Sequence, residues 1–240
     1  MSGHSKWNNI KHKKEKTDAQ RAKVFTKIGK EIAMAVKAGG ADPSSNSKLR
    51  DLISKAKSLN VPNDNIDRVI KKAASSDSED YEVIVYEGYG PSGIAVIVEC
   101  ATDNRNRTGA DLRHYFDKFG GNLGTTGCVS YLFSDHGIVL VDAEGVDEDA
   151  IMEAALEAGA EDIGLEGEAF EVLTPTSDLY AVKDALEAAG YTILSTEEAK
   201  IPSTYVNLSD EEAMIKMQKL IDALDDNEDV QNYWHNWENE

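Results

Sequence analysis

Apolar positions in the first third of the chain recur at helical spacing. Phe25, Ile28, Ile32 and Val36 fall on one stripe, and Lys23, Lys27, Lys30 and Lys37 on the opposite one. Thr17-Asp18-Ala19-Gln20 has the form of a capping box, which predicts a helix with Thr17 as N-cap that closes at Gly39-Gly40. A second helix is expected after the polar stretch Asp42 to Ser47, with Leu49, Leu52, Ile53, Ala56 and Leu59 as its apolar positions. Asn60-Val61-Pro62 interrupts it, and Pro62 suits the opening of a third helix carrying Ile66, Val69, Ile70 and Ala73. Three short amphipathic helices can bury their stripes together as a small bundle. Ser75 to Asp80 reads as a polar linker.

Beyond the linker the period shortens to that of strands. Glu82 to Tyr86 and Ile94 to Cys100 are rich in β-branched residues and flank a Gly/Pro turn, which predicts a hairpin. A helix is expected over Ala110 to Phe119, ended by Gly120-Gly121, and "CVSYLF" reads as a further strand. A compact βαββαβ pattern follows: "GIVLVD", a helix from Asp147 to Gly159 with Met152, Ala155 and Leu156 inward, "AFEVLTP", a helix near Ser177 to Ala189 with Leu179, Val182 and Leu186, and "YTILST". That order is ferredoxin-like. The tail offers "STYVNL", a helix opened by Ser209 with Met214, Met217, Ile221 and Leu224 as its stripe, and the strand-like "DVQNYWHNW". Since so few elements cannot form a domain alone, the tail is expected to complete the middle segment.

The fold class is therefore α+β: an N-terminal three-helix bundle followed by two α+β domains, at least one ferredoxin-like. The expected division is 1–78, a basic helical domain with an N-terminal arm; 79–134 plus 203–240, a discontinuous α+β domain; and 135–202, the ferredoxin-like one.

Charge changes this picture more than composition does. The formal net charge of the 240 residues is -19, yet residues 1–75 hold 17 Lys and Arg against 7 Asp and Glu. Such a division implies either a polyanion-binding segment on a body that polyanions repel, or two parts of one chain that attract each other. The basic residues are densest in the arm and first helix: Lys6, Lys11, Lys13, Lys14, Lys16, Arg21, Lys23, Lys27 and Lys30, with His4, His12 and Trp7 among them. Lysines neutralise backbone phosphates and gain affinity by releasing counterions. Trp7 could stack on a base or pack on the bundle. Arg105, Arg107 and Arg113 stand out in the acidic remainder. They suit either an internal ion-pair network or a second contact to RNA or a protein partner.

Other motifs lead away from catalysis. "GYGPSG" matches GxGxxG, but a strand follows it where a dinucleotide site needs a helix, so a hairpin turn is expected. "KFGGNLGTTG" comes after a helix rather than before one, with Gly120 as a helix cap. The five histidines, Cys100 and Cys128 lack zinc-ligand spacing, and no catalytic residue, metal or cofactor is expected. Two isolated thiols without CxxC, and no apolar run near the roughly 20 residues of a membrane span, suggest a cytoplasmic protein that does not enter membranes.

"GHSKW", "IKHKK", "AGGADP", "NVPNDNIDRVIKK", "YEGYGPSG", "TDNRNRT", "GGNLG" and "LIDALDDNEDVQNYWHN" together resemble the YebC/PmpR family over essentially the whole chain. That family includes the mitochondrial translational activators of cytochrome oxidase. Thr126 and Cys128 depart from its usual acidic and small polar residues. The resemblance implies three domains, with the C-terminal segment completing the middle one. It implies no enzymatic site. It also implies either of two roles: transcriptional regulation through DNA, or work on the ribosome through ribosomal RNA, with the acidic domains meeting the ribosome or another protein.

Overall fold

The lysine-opposed apolar stripe forms helix α1 (Asp18–Gly39), which turns Ile28, Ile32, Ala35 and Val36 into a buried core. Opposite it lie α2 (Ser47–Ser58), contributing Leu49, Leu52 and Ala56, and α3 (Asn63–Ala73), contributing Ile66 and Ala73. Asn46 caps α2 by accepting from Leu49 N at 3.1 Å, and donates through Nδ2 to the carbonyls of Ala35 and Gly40, so it also fixes the α1–α2 turn. Pro62 precedes α3, where its fixed φ suits a helix start. The structure is a computed structural model and describes residues 18–75 and 80–238; the Thr17 cap lies outside them. The described chain divides into two compact units, one of residues 18–129 with 208–233, the other of 130–207 with 234–238.

In the first unit the bundle is followed by a four-stranded sheet in the order β3-β1-β2-β9. Strands β1 (Glu82–Tyr89) and β2 (Ala95–Thr102) form the expected antiparallel hairpin, with Glu82 opposite Thr102. "GYGPSG" is its turn, where Ser92 and Gly93 both have positive φ (57° and 82°). Ala95, Val96, Ile97 and Val98 are all buried, because β2 is an inner strand covered on both faces. Helix α4 (Arg105–Lys118) buries Leu112 and Phe116. It starts five residues earlier than expected, since the Asn104 side chain accepts from Arg107 N and makes "NRNRT" the first turn of the helix rather than a loop. Gly120 follows α4 with φ 84°, the cap conformation its sequence suggests, and β3 is the short Asn122–Leu123. From the tail come α7 (Glu211–Asp226) and β9 (Val230–His235), whose first residues border β2. Asp210, not Ser209, caps α7, accepting from Glu212 N and Ala213 N. Its buried stripe is Ala213, Met217, Leu220 and Leu224, so Met214 and Ile221 flank the stripe instead of forming it.

The second unit is ferredoxin-like. Strands β4 (Phe133–Asp142), β5 (Asp162–Glu166), β6 (Ala169–Thr174) and β7 (Ile193–Pro202) lie in the order β5-β6-β4-β7, each antiparallel to its neighbour. Helices α5 (Glu148–Ala158) and α6 (Leu179–Ala188) join them. Val139, Val141, Ile151, Ala155, Phe170, Val172, Leu179, Val182 and Leu186 make one core, while Ile138, Leu140 and Ala199 pack with Leu173, Ile201 and Trp234. Strand β5 had no strand signal of its own beyond the order of the motif. "CVSYLF" is not one strand: Ser130–Leu132 is a single 3-10 turn and pairing begins at Phe133. Met152 and Leu156 of α5 are exposed (39% and 53%), and Ile151 takes the inward place beside Ala155. Within "STYVNL" only β8 (Val206–Asn207) is paired, in parallel with β10 (Trp237–Glu238).

Candidate nucleic-acid interface

Of the expected arm contacts, His4, Lys6, Trp7, Lys11, His12, Lys13, Lys14 and Lys16 lie outside the described residues, as does the side chain of Arg21. The lysine stripe of α1 is described, and it faces the protein's own acids. Lys23 Nζ meets Asp226 Oδ1 at 2.7 Å, and Lys27 Nζ donates to the Asp225 carbonyl at 2.9 Å. Both acceptors sit at the C-terminal turn of α7, where exposed carbonyls favour cations. Lys30 Nζ reaches deeper, to Asp229 Oδ1 at 2.6 Å and to the carbonyls of Ala101 and Glu228, with the Tyr81 ring below it. Lys37 pairs with Asp80.

Asp229 is the hub of this contact. It is 5% exposed, and its second oxygen accepts from Arg107 Nη2 and Thr108 Oγ1, each at 2.8 Å. Its backbone carbonyl accepts from Ala101 N, so the carboxylate is placed by strand β2 as well as by the loop before β9. Burial acts to raise the Asp229 carboxyl, but the hydrogen bonds from Lys30, Arg107 and Thr108 outweigh it and hold the group down at about 2. Arg107, also paired with Asp103 at 2.8 Å, is held well above its ordinary value by the hydrogen bonds it donates to Asp229 and Asp103. Within "TDNRNRTGADLRHYF", then, Arg107 belongs to an internal ion-pair network, whereas Arg105 and Arg113 are exposed on α4.

The cations of the bundle that point to solvent sit on α2 and α3. Lys48, Arg50 and Lys57 are exposed on the one, Arg68 and Lys71 on the other. Sequence reasoning counted them in the charge balance without singling them out; the alternation of apolar and basic residues in both helices was the available signal.

Two further arrangements were not foreseen. Buried Glu87 accepts from Gly127 N at 2.7 Å and Val129 N at 2.9 Å, pinning the loop of "GGNLGTTG" against β1. In the second unit, Ser134 Oγ lies 2.9 Å from His136 Nε2, and His136 Nδ1 lies 2.9 Å from Glu161 Oε2. Serine, imidazole and carboxylate stand in relay order, at the exposed start of β4, whose backbone is paired with β7. Cys100 is a free buried thiol that burial pushes up to about 12, which makes it inert at neutral pH. Among the described residues no helix is long and apolar enough to cross a membrane.

These features define an α+β protein in which a basic helical bundle is tied by ion pairs to an antiparallel sheet and accompanied by a ferredoxin-like unit. Residues 5–76 match the TACO1/YebC protein N-terminal domain, and residues 81–237 match the TACO1/YebC second and third domain. The chain belongs to the TACO1/YebC family, as its motifs implied. A relative from Acetivibrio thermocellus is 56% identical over 99% of both chains, and one from Finegoldia magna is 53% identical over the full length of both; each bears the name "Probable transcriptional regulatory protein". A crystal structure of a conserved hypothetical protein from Aquifex aeolicus superposes with a TM-score of 0.84 at 44% identity, over 92% of each chain.

Proposed function

We propose that this protein is a non-enzymatic regulator of gene expression that binds nucleic acid through its basic N-terminal segment. The observation that carries the reading is the separation of charge, 17 basic against 7 acidic residues up to Ser75 in a chain of net charge -19. The ion pairs of α1 refine it. Lys23, Lys27 and Lys30 serve the attraction between the bundle and the acidic tail, which leaves His4, Lys6, Trp7, Lys11, His12, Lys13, Lys14, Lys16 and Arg21 as the grip on phosphate. Arg105 and Arg113 are available for a second contact. The acidic remainder is repelled by the polyanion and free to meet a protein partner.

DNA is the target that the relatives' names favour. The second reading is a ribosome-associated translation factor on ribosomal RNA. It is favoured by the engagement of the lysines of α1, the longest helix of the bundle, with the body, which leaves a phosphate grip without an obvious base-reading helix. Crosslinking in living cells, with sequencing of the recovered RNA and DNA, separates the two. Discrete promoter fragments would support the first, and ribosomal RNA enriched at discrete positions the second. Background recovery of both would remove the proposal.

A further inference from the structure

Helix α5 and strand β5 carry an apolar shelf that the ferredoxin-like unit leaves uncovered. Met152 and Leu156 of α5 are 39% and 53% exposed, and Leu165 of β5 is 51% exposed. Met152 and Leu156 each follow a core position, Ile151 and Ala155. In a right-handed β4–α5–β5 crossover that flank of the helix overhangs β5, while Ala154 and Ala158 turn toward α6. Leu165 stands opposite Phe170, a core residue, so its side chain points to the same helix-covered face. Strand β5 also ends its sheet: β6 pairs with one edge, and among the described residues no strand pairs with the other. The turn Gly167-Glu168 makes Glu166 and Ala169 the closing pair of the hairpin, so the backbone groups of Ile163 and Leu165 point to the open edge. Asp162 takes the Ile163 N–H with its own carboxylate at 2.9 Å, whereas the Leu165 N–H has no partner among the described residues. Charge on this side has one sign. From Gly137 to Val182 the chain holds 13 acidic residues and no Lys, Arg or His. On α5, exposed Asp149, Glu153 and Glu157 follow one another at i+4, a spacing at which like charges repel, and none has an ion-pair partner among the described residues. Glu157 sits in the last turn besides, where the helix dipole favours a cation.

We infer that this shelf receives an extended, cationic segment of a protein partner, which adds as a strand to the outer edge of β5 and lays its apolar side chains on Met152, Leu156 and Leu165. It rests on the reading above in which the acidic remainder meets a protein partner, and names the face and the partner's chemistry. Open main-chain groups on an end strand are matched by the main chain of another strand. Alternate side chains of an added strand point to one face, so every second residue of the segment is apolar. The acids of α5, with Asp162 and Glu166 at the ends of β5, attract Lys and Arg between those apolar residues. They repel nucleic acid, and they repel a second copy of this chain, whose net charge is -19.

The test uses the purified full chain and two short fluorescent peptides of equal length, one alternating Lys with Leu and one alternating Lys with Ser, titrated at fixed salt. Wild type is expected to bind the Lys–Leu peptide roughly tenfold more tightly than the Lys–Ser peptide. Leu156→Ser combined with Leu165→Thr, both at exposed positions, is expected to weaken Lys–Leu binding roughly tenfold while the thermal midpoint and nucleic-acid binding stay as in wild type. Glu153→Lys combined with Glu157→Lys is expected to abolish it. Equal affinity for the two peptides, or Lys–Leu binding unchanged in the Leu156→Ser, Leu165→Thr variant, would overturn the inference and leave the acidic remainder to meet partners elsewhere. Lys–Leu binding that strengthens when Lys11, Lys13, Lys14 and Lys16 are replaced with Gln would give the shelf to the chain's own arm, and also overturns it. Wild type binding neither peptide would remove the inference together with the partner role of the acidic remainder, while the nucleic-acid grip of the arm would stand.

Discussion

Asp229 shows how much one carboxylate can organise. Its side chain and that of Lys30 are 8% and 11% exposed, so removing either leaves a buried charge without its main partner. Lys30→Met is expected to cost about 3 kcal/mol in urea unfolding at neutral pH, and an unchanged midpoint would contradict the role given to the pair. The pH dependence has a definite sign. The folded carboxyl titrates near 2, below its ordinary 3.8. Its contribution is thus complete above about pH 4 and is lost as pH falls through about 2. Asp229→Asn should flatten that acid limb of the stability curve relative to wild type. The Ser134–His136–Glu161 relay is the other residue-scale question. The backbone around this exposed serine is committed to the β4–β7 ladder rather than to an oxyanion site, so Ser134 is expected to stay unlabelled by a fluorophosphonate probe. Labelling that disappears in His136→Ala would make the relay a nucleophilic site and contradict the non-enzymatic reading. Neither Asp229 nor Ser134 could have been picked out beforehand, because each gains its meaning from residues distant in sequence, such as Lys30 and Glu161.

Elements were far more legible than individual partners. The α1 stripe, the hairpin and the ferredoxin-like order could be read because each rests on a local periodicity or a turn signal. The failures fall where two signals compete. In α5, Met152 and Leu156 are as apolar as the residues that the core accepts, and only packing against β4 and β6 selects Ile151 with Ala155. Leu156→Glu should therefore change stability by no more than about 0.5 kcal/mol, whereas Ile151→Ala should cost about 3 kcal/mol; equal losses in thermal or urea unfolding would show that the face is misassigned. In α7 the Ser209 and Asp210 caps differ by one residue, and the helix follows Asp210, whose carboxylate accepts from both Glu212 N and Ala213 N. In α4 the capping signal of Asn104 precedes a polar, charged run without an apolar period, so the expected start falls at Ala110 rather than Arg105. Strand β5 carries too weak a strand signal to be seen without the strand it pairs with.

The whole molecule sorts its cations by role. Lys23, Lys27 and Lys30 of α1 hold the bundle to α7 and to the loop before β9, whereas Lys48, Arg50 and Lys57 of α2 and Arg68 and Lys71 of α3 face solvent. The dense arm before α1 is the segment to which the phosphate grip is assigned. The overall charge division was visible in the sequence, but its two explanations were not separable there. The α1 contacts show that self-attraction accounts for part of it. The arm tests the rest, and one measurement does so directly: the salt dependence of nucleic-acid binding by wild type and by the variant in which Lys11, Lys13, Lys14 and Lys16 are all replaced with Glu. Each phosphate contact contributes a slope of roughly 0.7 on single strands and 0.9 on duplex in log affinity against log salt. If the arm is the grip, the variant should bind far more weakly and lose about three units of slope. Unchanged affinity and unchanged slope would contradict the account.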